Sequence, residues 1–287
     1  MDIQSFTPIN NQVLIEISSE YNDKIYFENG KELYIDPSFE KERHASTKGI
    51  IIKVPSRLKY LEEGENKMPW ITDIEVRPGD QVWFSWNATT IALRDKVKRF
   101  LFNNKIHILI NYKYLYAAKR KVYVSDGWTP DKILSYYDVN GSFMINKVGN
   151  HCIPIIPNGH LLIAPIKQKD LPVGVRPDGF SGGGRVMVSD IEREKVSDKY
   201  GRVMFIGKPL GGYMEGSCVL PDNRSFMCLW HKDGELMNEN RDIKPYDVIR
   251  LRKYADIPFQ YGIHADFDGK REFFKMNRRD VVAIIKE

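Results

Sequence analysis

Short apolar runs recur along the chain, and polar residues rich in Gly, Pro, Asn and Asp separate them. The runs are QVLIEI, GIIIKV, DQVWFSW, HILI, HLLIAPI, GRVMFIG, DVIRLRKY and DVVAIIKE. Their β-branched and aromatic residues are typical of strands. Few windows show helical periodicity; the best is WTPDKILSYYDV, where Thr129 suits an N-cap and Pro130 the first turn. The pattern predicts an all-β protein with one short helix candidate.

Five sequence features occur twice, in the same order, in the two halves of the chain. They are an entry strand, a polar stretch containing glycine, a strand led by glycine, a Pro-x-Asp turn before a further strand, and a closing strand. The corresponding residues are Val13–Ile15 with Leu161–Ile163, Gly49 with Gly201, Pro78 with Pro245, Asp80 with Asp247, Asn111 with Asn277, and Ala117 with Ala283. Short strands repeated in this way predict two copies of one small β-barrel.

The Pro-x-Asp turn is the most similar of these features. VRPGDQVWF begins at Val76, and IKPYDVIRL begins at Ile243. Proline presets φ for the first corner of a turn, and aspartate can accept hydrogen bonds from nearby backbone amides. Side chains alternate in the strand that follows, so we expect every second apolar residue to face one core.

Length and composition are those of a folded protein with two domains. The chain has 287 residues, of which 42% are hydrophobic and 28% charged. No run approaches the 18 or so apolar residues of a membrane helix, and MDIQSFTPIN lacks the features of a signal peptide. We therefore expect a soluble, cytoplasmic protein. Cys152, Cys218 and Cys228 are too few for a disulfide framework and, even with His231, fit no paired zinc motif.

The modest net charge of +5 is concentrated in one segment, which raises the alternative of a nucleic-acid surface. Between Arg94 and Lys121 there are nine Lys or Arg residues against the single acid Asp95, interleaved with aromatic residues. The same segment partly alternates apolar and polar positions, as a strand does when one face carries solvated charge. Solvated strand faces are the favoured interpretation, and nucleic acid is an unlikely partner.

Both halves resemble the GroES-type co-chaperonin family. The similar segments are GHLLIAPI, KYGRVMFIG, EVRPGDQVWF and RRDVVAIIKE. The resemblance implies two tandem, partly open β-barrels, over residues 1–118 and 153–287, joined by a linker over 119–152 that holds the helix candidate. It also implies assembly into a homo-oligomeric ring. The hairpin over 208–241 is longer than its counterpart in the first half and carries extra apolar residues. These residues either form a contact surface for a partner or pack on one another within the hairpin.

Members of that family dock a mobile, glycine-containing loop with an apolar tip onto a chaperonin. The loop of the second half looks most like it, because Gly182, Gly183 and Gly184 precede Val186, Met187 and Val188. Glycines keep a free loop disordered, so docking carries an ordering cost that keeps binding reversible. Alternatively, these apolar residues simply begin the next strand. In the first half, Leu33, Tyr34 and Ile35 occupy the tip position, but the loop has only Gly30 and more aromatic and acidic residues.

The function implied is that of a co-chaperonin-like ring that caps a GroEL-type chaperonin and assists protein folding. The alternative is a structural ring of a bacteriophage virion that reuses the barrel without a chaperonin partner. No phosphate-binding loop, metalloprotease helix or nucleophile elbow is present in the sequence. We therefore expect no enzymatic activity, no catalytic or metal site and no cofactor. His264 to Asp268 could be drawn as an acid-base cluster, but the repeat places that stretch in a hairpin turn.

Overall fold

The structure is a computed structural model of the chain. It describes residues 6–21, 24–26, 31–34, 36, 44–60, 66–95, 97–124, 149–171, 196–207, 212–213, 217–219, 225–227, 243–252, 264–265 and 273–285. The chain divides into two compact units. Strands dominate both units, which confirms the predicted all-β fold.

The described residues form nineteen strands, one α-helix and several short 3₁₀ turns. In chain order the strands are β1 (Gln12–Ile17), β2 (Lys24–Tyr26), β3 (Glu32–Tyr34), β4 (Lys48–Lys53), β5 (Trp70–Ile71), β6 (Gln81–Phe84), β7 (Arg99–Phe102), β8 (Lys105–Asn111), β9 (Leu115–Val124), β10 (Gly149–Ile155), β11 (Leu161–Lys167), β12 (Val196–Ile206), β13 (Gly212–Tyr213), β14 (Ser217–Val219), β15 (Ser225–Met227), β16 (Val248–Leu251), β17 (His264–Ala265), β18 (Phe273–Met276) and β19 (Val281–Ile285). The helix is α1 (Trp86–Arg94), and it follows β6. No helix in the described part of the chain is long and apolar enough to cross a membrane.

Each unit contains one main antiparallel sheet, and the two sheets share a strand order. The first runs β10-β9-β6-β4-β1-β8-β7, and the second, taken from its other end, runs β19-β16-β12-β11-β18-β17. The shared order is therefore six strands long, and β10 is an additional strand on the first sheet. Smaller pairings join β2 to β3, β5 to β13 and β14 to β15.

The strand registers also agree with the predicted repeat. Ile15 pairs with Ile51 and Ile108, and its counterpart Ile163 pairs with Val203 and Phe274. Register irregularities fall at corresponding positions of the entry strands, between residues 14 and 15 and between residues 162 and 163. A register slip of one residue would move every side chain to the other face of a sheet. The matching registers therefore give the two units the same inward-facing positions.

The hydrophobic cores show this correspondence directly. A buried cluster of the second unit consists of Leu161, Ile163, Val203, Ile243, Ile249, Leu251, Phe274 and Met276. The residues at the corresponding positions of the first unit are all buried as well: Val13, Ile15, Ile51, Val76, Val82, Phe84, Ile108 and Ile110. Apolar residues thus fill two equivalent interiors.

The Pro-x-Asp motif forms the same turn twice. Asp80 N donates to Arg77 O, and Asp247 N donates to Lys244 O, each at 3.1 Å. The third turn residue has a positive φ in both copies, 89° at Gly79 and 72° at Tyr246. Proline at the second position and positive φ at the third are the signature of a type II turn. The strand after the turn then starts at the same point in each unit.

The helix α1 was not predicted from the sequence, which reads as strand up to Trp86. It buries Ala88, Thr89 and Ala92, and the Thr89 hydroxyl donates to the Ser46 carbonyl. Small residues four apart let the helix lie close to the sheet, although its sequence contains two threonines and an isoleucine that favour strands. Tertiary packing therefore decides the conformation of this segment.

Strands extend into both ends of the segment predicted as a linker. β9 continues to Val124, and β10, which begins at Gly149, pairs with it. Lys147–Gly159, which include β10, belong to the first compact unit, and His160–Ile206 belong to the second. The helix candidate at Thr129 lies outside the described residues.

Gly49 is expected to tolerate alanine less well than its counterpart Gly201. A Cβ at Gly49 would lie 2.5 Å from Ile15 Cγ2 and 2.6 Å from the Glu16 carbonyl oxygen, so the backbone itself would have to move. At Gly201 the atoms in the way all belong to the Ile163 side chain, chiefly its terminal Cδ1, which can rotate. We expect Gly49→Ala to lower the free energy of unfolding by about 1–3 kcal/mol.

Gly201→Ala serves as the matched variant and should be close to neutral, because the lost flexibility of the unfolded chain offsets a rotamer change worth about 1 kcal/mol. Urea denaturation followed by far-ultraviolet circular dichroism measures both variants. Equal destabilisation of the two would contradict the backbone clash at Gly49.

Candidate interaction surfaces

The loop between β1 and β4 contains the described part of the candidate docking tips. β2 and β3 pair there as a short antiparallel hairpin, with Ile25 opposite Leu33. Leu33 is 50% exposed and Tyr34 is 68% exposed. Ile35 lies outside the described residues. Leu33 and Tyr34 are consecutive residues of β3, and exposed apolar side chains can contact a partner.

The corresponding loop of the second unit leaves β11 and returns at β12. Its candidate docking residues all lie outside the described residues: Gly182, Gly183, Gly184, Val186, Met187 and Val188. The described part of this loop is the 3₁₀ turn Gln168–Asp170 followed by Leu171, and β12 begins at Val196. In both units the loop joins the entry strand to the neighbouring strand of the same sheet.

A buried ion pair anchors the first Pro-x-Asp turn. Arg120 donates from Nε to Asp80 Oδ1 at 2.9 Å and from a terminal nitrogen to Oδ2 at 2.8 Å, and Oδ2 also accepts from Arg77 N at 2.8 Å. The same Arg120 nitrogen donates to the Glu75 carbonyl. Bidentate pairing of this kind is among the stronger polar contacts in proteins. It fixes β9, which carries Arg120, against the turn.

A buried tyrosine lies beside this anchor. Tyr112 accepts a hydrogen bond from Glu75 N at 2.9 Å and donates to the Asp73 carbonyl at 3.1 Å. Burial raises the pKa of the Tyr112 hydroxyl far above its ordinary value, and the nearby Glu75 carboxylate raises it further. The hydroxyl therefore stays neutral and acts as a structural donor and acceptor.

The β9–β10 junction is the most extensive contact that the sequence did not predict. Seven residue pairs run from Ala118 with Ile155 to Val124 with Gly149. Immediately after β10, Asn158 has a left-handed backbone with φ 61°. Its Nδ2 donates to the carbonyls of Tyr112 at 2.9 Å and Leu115 at 2.8 Å, and its Oδ1 accepts from Trp70 Nε1 at 3.0 Å. Asparagine tolerates this conformation better than most residues, and here its side chain joins β10 to the start of β9.

Four of the nine Lys and Arg residues of the basic segment pair with acids, three of which lie outside the segment. The pairs are Lys98 with Asp95, Arg99 with Glu20, Lys105 with Glu16, and Arg120 with Asp80. The local excess of positive charge in the sequence is therefore partly neutralised in the fold. This pairing weakens the case for a nucleic-acid surface, whose affinity depends on cations that reach phosphates.

No group of three potential ligands among the described His, Cys, Asp and Glu residues is arranged to hold a metal ion. His107 is the most deeply buried described histidine. Its ring stacks on Phe100, and its Nδ1 lies 3.1 Å from the Lys105 carbonyl oxygen. These contacts account for its burial without a catalytic role. Comparison with protein-family models and with curated proteins finds no match for this chain.

Proposed function

We propose that the protein is a ring-forming, co-chaperonin-like lid that docks on a GroEL-type chaperonin. The observation that carries the proposal is the repetition of one six-stranded unit, in which a loop leaves between the entry strand and its neighbour in both copies. The resembling family places its docking loop at this position. The exposed Leu33 and Tyr34 on the first loop, and the glycine-led apolar triplet Val186–Val188 in the second, supply apolar tips for docking.

A co-chaperonin must dissociate after it has bound, and docking through a few apolar side chains gives a reversible complex. A buried apolar side chain contributes about 1.5–3 kcal/mol, so a few of them give useful but reversible affinity once the ordering cost of the loop is subtracted. Several identical loops on one ring would then act together and raise the overall affinity.

The test is complex formation with a GroEL-type chaperonin in the presence of ADP, followed by sedimentation of the labelled chain. The wild-type chain should co-sediment at micromolar concentration, and the double variant Val186→Ser, Met187→Ser should bind more than about tenfold more weakly, since each buried apolar side chain is worth more than 1 kcal/mol. A Leu33→Ser, Tyr34→Ser variant measures the contribution of the first loop.

Leu101→Ser is the matched control, because Leu101 is also an exposed apolar residue but lies on the edge strand β7 rather than on a loop. It should bind as the wild type does. Absence of any complex would overturn the lid proposal. Equal binding by the wild type and by the Val186→Ser, Met187→Ser variant would overturn it as well. Rings that form without a chaperonin partner, together with detection of the chain in purified phage particles by mass spectrometry, would favour the structural alternative.

A further inference from the structure

The loop between β1 and β4 is closed at its base. Tyr21 and Ala45 form a β-bridge across it, and Ser46 N donates to the Glu20 carbonyl at 2.9 Å. Ala45 and Ser46 are at most 3% exposed. The outgoing and returning limbs of the loop therefore meet before the chain reaches the β2–β3 hairpin. We call residues 19–21 and 45–47 the loop base.

Helix α1 holds the returning limb of the loop base. Thr89 is fully buried, and its hydroxyl donates to the Ser46 carbonyl. Just before the helix, Phe84 N donates to the Thr47 carbonyl at 2.9 Å. A threonine inside a helix can bond back to the carbonyl four residues earlier, as Thr90 does. Thr89 instead reaches another element, so a specific side-chain contact fixes α1 to the loop base.

Strand β7 holds the outgoing limb of the loop base through an ion pair. Arg99, the first residue of β7, pairs with the Glu20 carboxylate, and the two side chains are only 36% and 27% exposed. Lys105, on β8, pairs with Glu16 of β1 at 2.8 Å. That second pair lies between neighbouring strands of the sheet, outside the loop base. The β7–β8 hairpin is therefore held by one ion pair to β1 and by another to the loop base.

We propose that α1 and β7 clamp the loop base, so that the β2–β3 hairpin meets a partner as a pre-ordered element with Leu33 and Tyr34 already in place. The clamp consists of the Thr89 hydrogen bond and the Arg99–Glu20 ion pair. A segment that must order on binding loses part of its interaction energy to that ordering, and contacts that order it beforehand reduce the loss. The first loop differs in this respect from the mobile docking loop of the resembling family.

The clamp gives the hairpin a sensitivity to salt. Salt screens the attraction between partly exposed charges, so it weakens the Arg99–Glu20 pair and leaves the Thr89 hydrogen bond in place. The inference rests on the proposed function for the identity of the partner, because the hairpin is the described part of the candidate docking loops. The clamp itself belongs to the free chain and can be measured without any partner.

Hydrogen exchange of the free chain, resolved to β2 and β3 by mass spectrometry, measures the clamp. Thr89→Val keeps the shape of the side chain and removes the hydrogen bond to the buried Ser46 carbonyl. Exchange in β2 and β3 should become at least about tenfold faster. Thr90→Val is the matched control, because its hydroxyl bonds only within α1 among the described contacts, and it should change this exchange less than about twofold.

A second control separates the clamp from general stability. Asp80→Ala breaks a buried ion pair at the other end of β6 from the loop base. If the hairpin opens locally when the clamp is released, Asp80→Ala should change exchange in β2 and β3 less than about threefold. Acceleration as large as that in Thr89→Val would mean that the hairpin opens only with the whole unit, and it would overturn the proposal.

Glu20→Gln and Arg99→Gln test the ion pair. Each should speed exchange in β2 and β3 by about threefold, and added salt should speed the wild type but neither variant. The charge-reversed double variant Glu20→Arg, Arg99→Glu should return exchange towards the wild-type rate. Lys105→Gln is the matched control, because it breaks the neighbouring ion pair outside the loop base and should leave β2 and β3 unchanged.

Unchanged exchange in Thr89→Val and in both glutamine variants would overturn the clamp. With a GroEL-type chaperonin and ADP, Thr89→Val should bind at least about threefold more weakly than the wild type, although Leu33 and Tyr34 are intact. Equal binding would show that docking does not depend on the order of the hairpin and would overturn that part of the proposal. A wild type that forms no complex contradicts the proposed function, whereas exchange in the free chain still decides the clamp.

Discussion

Replacing Asp80 with alanine is expected to lower the free energy of unfolding of the first unit by about 3–5 kcal/mol, the usual cost of removing one partner from a buried ion pair. The Asp80 side chain is nearly fully buried and holds Arg120 through two hydrogen bonds. It also accepts from Arg77 N. Its loss leaves a guanidinium, itself mostly buried, without its carboxylate and releases the turn before β6.

Chemical denaturation followed by tryptophan fluorescence measures this effect, because Trp70, Trp83 and Trp86 all lie in the first unit. Asp247→Ala is the matched control. Asp247 accepts from Lys244 N, as Asp80 does from Arg77 N, but it is more exposed, and no described arginine pairs with it. We expect a loss of about 1 kcal/mol in the second unit, the typical net value of one hydrogen bond, and far-ultraviolet circular dichroism measures it because the tryptophans report on the first unit. Equal losses would show that the turn, and not the buried pair, carries the stability.

The sequence predicted the strands and their order of recurrence because both depend on local patterns. The alternation of apolar and polar residues around Ile15 and Ile163 is a short-range pattern, and so is the Pro-x-Asp turn. Both can be recognised in a single sequence. Their alignment was accurate enough to match the registers that the structure shows. Apolar residues at equivalent positions then meet in equivalent cores, so the pattern of burial follows from the pattern of the sequence.

Long-range contacts were not predictable in the same way. The pairing of β9 with β10 joins strands separated by 24 residues whose sequence gives no register signal. The helix α1 contains residues that favour strands, and only packing of its small side chains on the sheet explains its conformation. The role of Asn158 depends on carbonyls 46 and 43 residues earlier in the chain. The repeat does align Asn10 with Asn158, but the hydrogen bonds of the Asn158 side chain could be recognised only from the structure.

The candidate docking tips were selected from the sequence for their apolar residues and their position in the repeat. Gly182 to Val188 were singled out from composition and resemblance, and they lie outside the described residues. Leu33 and Tyr34 are described and exposed, as a docking tip requires. Exposure alone does not name a partner, so the binding experiment carries the functional conclusion.

Asn158→Gly is expected to lower the free energy of unfolding of the first unit by about 3 kcal/mol, since it removes two buried hydrogen bonds and one partly buried hydrogen bond, each worth about 1 kcal/mol. Glycine accommodates the positive φ of this position, so the loss reports the side chain and not backbone strain. The carbonyl of Leu115 and the indole of Trp70 lose the partner that the side chain provides. The Trp70 environment should also change, which its fluorescence measures at low protein concentration.

Asn10→Gly is the matched control for this change, because Asn10 occupies the same position of the first repeat with a similar backbone. In a single copy its side chain makes only a weak exposed contact with Lys59 among the described residues, so we expect a change in stability below about 0.5 kcal/mol. The two variants then compare one position of the repeat in two settings: Asn158 stabilises a junction within the chain, whereas Asn10 makes only the weak contact with Lys59 among the described residues. A large loss of stability in monomeric Asn10→Gly, or a neutral Asn158→Gly, would contradict this division.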